Sequence, residues 1–202
     1  MNRKEKEMNA RRDAIIAAAE ELFLTKGFQN VTMEEIAKKA EFTRPTLYAY
    51  FKNKTELYVV IFTKISLLRW KILNDAMALK VTGYDKLYAF GDAYYEFAIK
   101  YPEYLKFMLF WDHYGLPCDQ IDPDIMKAFT DPRDKARMDL INAFQLGMND
   151  GTIRDDIEID YVMPYLCITT RAVLNEVVLG YANKEYYYSF LRLFLRGLKN
   201  NG

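Results

Sequence analysis

Two helix-start signals stand close together near the amino terminus and leave the chain between them little freedom. Thr32-Met33-Glu34-Glu35 has the form of a capping box, in which the Thr32 hydroxyl and the Glu35 carboxylate satisfy orphan amides reciprocally. Val31 before the cap and Ile36 at the fourth helical position complete a hydrophobic staple. Glu41-Phe42-Thr43 breaks the pattern, so this helix is short and ends near Ala40. Thr43 caps the next helix, with Arg44 and Pro45 in its first turn, where a missing amide hydrogen matters little. That helix runs to about Phe51; Lys52-Asn53-Lys54 is a polar turn, and Thr55 is the expected cap of a longer helix continuing towards Met77.

A short capped helix, a tight turn and a second short helix match the helix-turn-helix arrangement, here spanning about residues 32–51. Leu47 and Phe51, at i and i+4, are expected to pack inward against Ile36, Ala37 and Ala40. Thr43, Arg44, Thr46, Tyr48 and Tyr50 are then left near or on the outer side. That set is rich in hydroxyls and aromatics, whereas an ordinary exposed helix face carries Glu, Lys and Gln.

Elsewhere the periodicity is helical almost throughout, with no alternating strand. Ile15, Ala18, Ala19, Leu22 and Phe23 form one apolar stripe on a helix from Asn9 to Lys26, which Gly27 stops. The first dozen residues are expected to be mobile. Further helices are predicted over Tyr84–Lys100, Pro102–Trp111, about Asp131–Met148, about Asp160–Tyr181 and Lys184–Leu198, while Asp112–Thr130, with Gly115, Pro117 and Pro123, reads as loop. The predicted fold is therefore all-α, with about nine helices. A three-helix head over residues 1–54 carries the helix-turn-helix, and a larger helical bundle occupies residues 55–202.

Composition narrows the function. The chain carries 28 basic and 28 acidic side chains, which excludes holding nucleic acid by bulk basicity. Residues 1–54 nevertheless have 11 Lys/Arg and 8 Asp/Glu, net +3, leaving 17 and 20, net −3, for the rest, so the head is the anion-facing end. No apolar run approaches the roughly 18–20 residues of a membrane span, and the charged start leads into no signal core. Cys118 and Cys167 lie far apart, as expected of reduced thiols in a cytoplasmic protein. One histidine, distant cysteines and no Gly-rich phosphate loop offer no catalytic constellation, no metal site and no cofactor motif, so an enzyme is not expected.

In the run Thr43 to Lys54, the Leu47-Tyr48-Ala49-Tyr50-Phe51 core and the Lys52-Asn53-Lys54 turn resemble the recognition helix and following turn of the tetracycline-repressor family of bacterial transcription regulators. Ala17 to Phe28 with Val31-Thr32-Met33 resembles that family's first helix and the approach to its second, so the resemblance covers about residues 10–60. It implies that Thr43, Arg44, Pro45, Thr46 and Tyr48 face the major groove of operator DNA, with Arg44 suited to a bidentate guanine contact. It implies phosphate contacts from Tyr50, Lys54 and the Thr32 hydroxyl. Glu41 departs from the family, which very often has glycine in the turn; a left-handed Glu costs about 1–2 kcal/mol.

One short helix buries too little surface for operator affinity, so two heads are needed. The resemblance implies a homodimer built from the last two helices. Its candidate residues are Leu166, Ala172, Val173, Val177 and Gly180 on the first and Tyr187, Phe190, Leu191, Phe194, Leu195 and Leu198 on the second. It also implies a small-molecule effector pocket in residues 55–202, which hold 14 of the 16 tyrosines and both tryptophans. Candidate lining residues are Tyr94, Tyr104, Phe107, Met108, Trp111, His113, Met138 and Met163, suited to an apolar or planar molecule. The reading is a repressor released from its operator by a ligand. The rival is a DNA-binding protein of the same fold that acts architecturally or through a protein partner, with a body packed solid.

Overall fold

Helix signals in the sequence become nine α-helices in the structure, a computed structural model that describes residues 2–115 and 120–200, with backbone alone at 112–114. In chain order they are α1 (Arg3–Lys26), α2 (Met33–Lys39), α3 (Arg44–Tyr50), α4 (Lys54–Ala78), α5 (Gly83–Lys100), α6 (Pro102–Tyr114), α7 (Pro123–Asn149), α8 (Ile159–Val178) and α9 (Lys184–Leu198). A 3₁₀ turn at Phe28–Asn30 joins α1 to the α2 cap. Among the described residues no strand forms beyond an isolated antiparallel bridge of Ile153 with Lys199.

Helix α6 runs on to Tyr114 and α8 ends at Val178, and three further boundaries differ from the sequence reading, each for a local reason. The first dozen residues are helical from Arg3, because Asn2 accepts from the Glu5 amide at 2.9 Å while its own amide donates to the Glu5 carboxylate at 2.8 Å. Helix α4 is capped by Asn53, not Thr55: Asn53 Oδ1 accepts from the Glu56 amide at 2.9 Å. The stretch expected as loop after Pro123 is helical, with Pro123 in the first turn and Pro132 inside α7. Its start is held by Asp122, which accepts from the Asp124 amide at 3.0 Å, and by burial of Phe129 against Val59. Proline density misled there, since proline opens a helix without loss.

The chain divides into two compact units. The first comprises residues 1–65 and 107–131, the second residues 66–106 and 132–202, and the chain crosses between them within α4, α6 and α7. In the first unit Ile15, Ala19, Phe23, Ile36, Leu47 and Phe51 are buried, so α1 to α3 share one core. Tyr58 lies at the centre of an aromatic cluster, stacked on Phe107 at 4.2 Å and edge-on to Phe28 at 5.1 Å. Its hydroxyl donates to the Phe107 carbonyl. The buried Glu56 carboxylate is held by two amides, those of Lys52 at 2.7 Å and Asp122 at 3.1 Å, tying the turn after α3 to the start of α7.

In the second unit α5 is buried almost all round, with Leu87, Phe90, Ala93, Tyr94, Phe97 and Ala98 inside. Glycines permit the closest approaches to it. Leu191 of α9 packs so tightly on Gly91 that a methyl there would lie 2.5 Å from its Cδ1. The buried Tyr187 hydroxyl donates to the Gly91 carbonyl at 2.7 Å. At the start of α5 a methyl on Gly83 would lie 2.1 Å from the Gly147 nitrogen, a main-chain overlap that no rotamer relieves. Gly83→Ala is therefore expected to destabilise by about 1–3 kcal/mol or more, outweighing the helix-propensity gain of at most about 1 kcal/mol. Gly197→Ala, where nothing lies within 4 Å, should not lower the thermal midpoint. Calorimetry of the two variants checks the contrast.

Candidate nucleic-acid interface

Helix α3 is seven residues long, and its orientation follows from two side chains. Leu47 and Phe51 are completely buried, which turns the opposite side and the amino-terminal end outward. Thr43, Arg44, Pro45, Tyr48 and Ala49 are exposed there, and Thr46 and Tyr50 are half-buried. Thr43 caps the helix, its Oγ1 accepting from the Thr46 amide at 3.4 Å and lying 2.9 Å from the Thr46 hydroxyl. Arg44 rests against Glu34 of α2 at 3.3 Å, an exposed pair of about 0–1 kcal/mol that does not hold the guanidinium back from a stronger acceptor. The inward packing expected of Leu47 and Phe51 is therefore present, and the outward set carries donors, acceptors and apolar edges within about two turns.

The turn before α3 adopts the geometry that the sequence leaves open. Glu41 has φ 60°, the left-handed region, and is the one such non-glycine among the described residues. The Phe42 amide donates to the Ala37 carbonyl at 2.9 Å and the Glu41 amide to the Lys38 carbonyl at 3.2 Å, the paired bonds of a Schellman ending. Two carbonyls at the end of α2 are satisfied by these bonds, and the conformational cost falls on Glu41. Because Glu41 is exposed, Glu41→Gly loses no packing. It is expected to raise stability by roughly 1 kcal/mol, read as a thermal midpoint a few degrees higher. An unchanged or lower midpoint counts against strain at this position.

Two of the residues assigned to phosphate contact, Thr32 and Lys54, have structural partners. The Thr32 hydroxyl accepts from the Glu35 amide at 3.1 Å and lies 3.1 Å from the Glu35 carboxylate, completing the capping box. Lys54 donates to the carbonyls of Phe28 at 2.6 Å and Val31 at 2.7 Å, with Gln29 at 3.4 Å, and lies 4.4 Å over the Phe28 ring. Its burial lowers the ammonium pKa. Lys54 thus clamps the 3₁₀ turn and the approach to α2. Lys26 bonds Glu35 at 2.8 Å, and that bond, with two from Thr32, holds the Glu35 carboxyl down at about 2.

A group whose folded pKa lies below its ordinary 4.5 stabilises the fold at neutral pH and loses that contribution as pH falls towards 2. The stability difference between wild type and Glu35→Gln is therefore expected to be constant above about pH 5 and to shrink between pH 4.5 and 2. Urea titrations across that range measure it.

The second unit holds a cavity of about 330 Å³ lined by α4, α5, α7 and α8. Of the residues expected in an effector pocket, Tyr94 and Met163 line it. The others are elsewhere. Phe107, Met108 and Trp111 belong to the first unit, where Trp111 packs against Phe62 and Phe129. Tyr104 stacks on Tyr101 at 5.5 Å, and Met138 points to solvent because α7 presents positions 133, 136, 137 and 140 to the cavity. The His113 side chain lies outside the described residues, as does Cys118. Sequence reasoning missed Arg69, Trp70, Arg133, Arg137 and Arg171; the i, i+4 spacing of Arg133 and Arg137 is the one local signal among them.

The proposed dimer residues also divide. Leu166, Tyr187, Leu191, Leu195 and Leu198 are buried in the chain's own core, α9 packing on α5, so they present no surface to a second copy. This corrects the sequence assignment: the most apolar stripe of α9 is intramolecular. Ala172 and Gly180 are exposed, and Val173, Val177, Phe190 and Phe194 half-buried. The exposed apolar face runs instead through Tyr161, Tyr165 and Ile168 of α8 and Tyr186 and Leu193 of α9, each more than half exposed.

Comparison with known proteins places this geometry. Residues 15–61, covering most of α1 through the start of α4, match the family model described as bacterial regulatory proteins, tetR family. The chain is 37% identical over 54 residues to the HTH-type transcriptional activator FasR of Mycolicibacterium smegmatis, covering 27% of this chain and 25% of that protein. The chain spans only about a quarter to a third of the length of the curated relatives it matches. A TetR family transcription regulator from Marinobacter aquaeolei aligns over 98% of this chain and 100% of its own, with a TM-score of 0.71 at 16% identity. FadR from Bacillus subtilis, in complex with stearoyl-CoA, aligns over 92% and 98%, with a TM-score of 0.69 at 18% identity. At these identities the likeness across the whole chain is one of fold. Residues 15–61 thus carry a segment of the tetR-family type, and the chain as a whole has the all-helical fold of these solved structures.

No helix among the described residues is long and apolar enough to cross a membrane, and none of their His, Cys, Asp and Glu side chains cluster as a metal site.

Proposed function

We propose that the protein is a sequence-specific, dimeric transcriptional repressor whose operator affinity is controlled by a small molecule bound in the second unit. The observation that carries DNA reading is the outward end of α3, where Thr43, Arg44, Pro45, Thr46 and Tyr48 sit within about a turn and a half on a helix oriented by Leu47 and Phe51. A major-groove helix reads bases from its amino-terminal residues, and Arg44 is the side chain whose fork matches guanine O6 and N7. Tyr50 and Thr32 lie nearest the phosphates in this reading. Lys54 contributes mainly by fixing the 3₁₀ turn, since its ammonium is engaged by carbonyls.

Operator affinity needs two heads about 34 Å or a multiple apart. The exposed stripe of Tyr161, Tyr165, Ile168, Tyr186 and Leu193 supports pairing of two copies through α8 and α9. The cavity of about 330 Å³ supports an effector and counts against the rival with a solidly packed body. FadR in complex with stearoyl-CoA supports a small-molecule site on this fold. A hundredfold loss of operator affinity requires about 2.7 kcal/mol of differential ligand binding, within the usual coupling range. The three helices that cross between the units are the covalent route for that coupling.

Selection of bound sequences from random duplex DNA tests the reading, and recovery of a palindromic site is expected. Arg44→Ala should weaken binding to that site by roughly 1–3 kcal/mol and relax one base pair per half-site; a uniform loss across sequences would make Arg44 a phosphate contact. Leu193→Glu places a charge on a 75% exposed residue, so the monomer should fold while light scattering shows loss of the dimer and operator binding falls with it.

A further inference from the structure

The cavity in the second unit has two chemically distinct parts. Its floor is apolar and buried, formed by Leu73, Phe90, Tyr94, Leu140 and Met163. Among the described residues four arginines join that lining, Arg69, Arg133, Arg137 and Arg171, and no carboxylate does. This concentration of positive charge stands in a part of the sequence, residues 55–202, whose net charge is −3. Arg133 and Arg137 are exposed and Arg69 and Arg171 half-buried, so an anion entering the cavity meets guanidinium groups beside an apolar floor.

Arg69 carries the argument furthest. One guanidinium nitrogen donates to the Tyr94 hydroxyl at 2.7 Å, and the group lies 5.2 Å over the Tyr94 ring. Its Nε is buried with no hydrogen-bond partner among the described residues. Arg69 therefore faces a phenol instead of a carboxylate and retains an unused donor beside the cavity. Arg137 has Asp160 at 3.2 Å, but both side chains are more than half exposed, so that pair yields easily to a competing anion.

We propose that this cavity binds an acidic amphiphile, an apolar chain ending in an anionic oxygen group that the arginines hold. The inference rests on reading the second unit as an effector-binding body and adds the chemical class of its ligand. A volume of about 330 Å³ has room for a body on the order of ten non-hydrogen atoms, taking roughly 30 Å³ for each water-sized volume. A carboxylate and a phosphate share the required chemistry, the fork of a guanidinium suiting both.

Trp70 lines the cavity, so its fluorescence reports binding in the full-length protein. Titrations with decanoate, decyl phosphate, decanol and decylamine, four molecules with one chain and different heads, are the test. Both acids should bind, with the alcohol and the amine weaker by about ten- to a hundredfold, the usual worth of a hydrogen bond to a charged group. The tighter acid identifies the head as carboxylate or phosphate. Arg69→Gln should remove most of the preference for acid over alcohol while leaving decanol binding intact, and the exposed Arg137→Gln should reduce that preference without risk to the core. Equal binding of alcohol and acids, tighter binding of the amine, or no binding of any of the four overturns the proposal. The operator assay is independent: acid binding that leaves operator affinity unchanged upholds the ligand class and overturns the effector reading.

Discussion

A seven-residue helix is not stable by itself in water, so α3 persists because Leu47 and Phe51 leave solvent entirely. Each such burial is worth roughly 1.5–3 kcal/mol, against which the rim ion pair of Arg44 and Glu34 is minor. The same two side chains decide rotation about the helix axis, and rotation decides which residues face outward. Thr43, Arg44, Pro45 and Tyr48 are presented because Leu47 and Phe51 are inserted. The surrounding devices preserve that register: Arg12 lies 5.3 Å over the Phe51 ring, Lys54 binds the carbonyls before α2, and the buried Glu56 carboxylate secures the turn after α3.

The head also contains a conflict between local preference and tertiary need. At Glu41 the backbone takes a conformation that favours glycine, because the chain must reverse between α2 and α3 within a few residues. The paired carbonyl bonds to Phe42 and Glu41 complete the end of α2 and offset part of the cost. In the second unit the accommodation is opposite. Glycines at 83 and 91 accept neighbouring main chain or side chain where any larger residue would collide, and α5 is thereby enclosed by its neighbours.

Much of this was legible in the chain itself. Capping chemistry located α2 and α3 within a residue or so, since Thr32, Glu35 and Thr43 act on amides three positions away. The all-helical fold was legible for the same reason: 3.6-residue periodicity is a local property. Pro123 was misleading, because composition alone does not distinguish a proline that opens a helix from one that ends it. The stripe of Tyr187, Leu191, Leu195 and Leu198 was recognised as buried, but periodicity cannot say whether the covering surface belongs to this chain or to another.

By itself, the sequence determined what depends on neighbours a few residues apart: the helix starts, the inward pair Leu47 and Phe51, and the donors at the head of α3. Only the tertiary structure decided which long-range partners meet. It assigned the apolar stripe of α9 to α5, left Tyr161, Tyr165, Ile168 and Leu193 exposed, and gathered Arg69, Arg133, Arg137 and Arg171 from three helices around one cavity. Electrostatic character of that kind is set by distances in space, and a chain whose total charge is zero gives no sign of it.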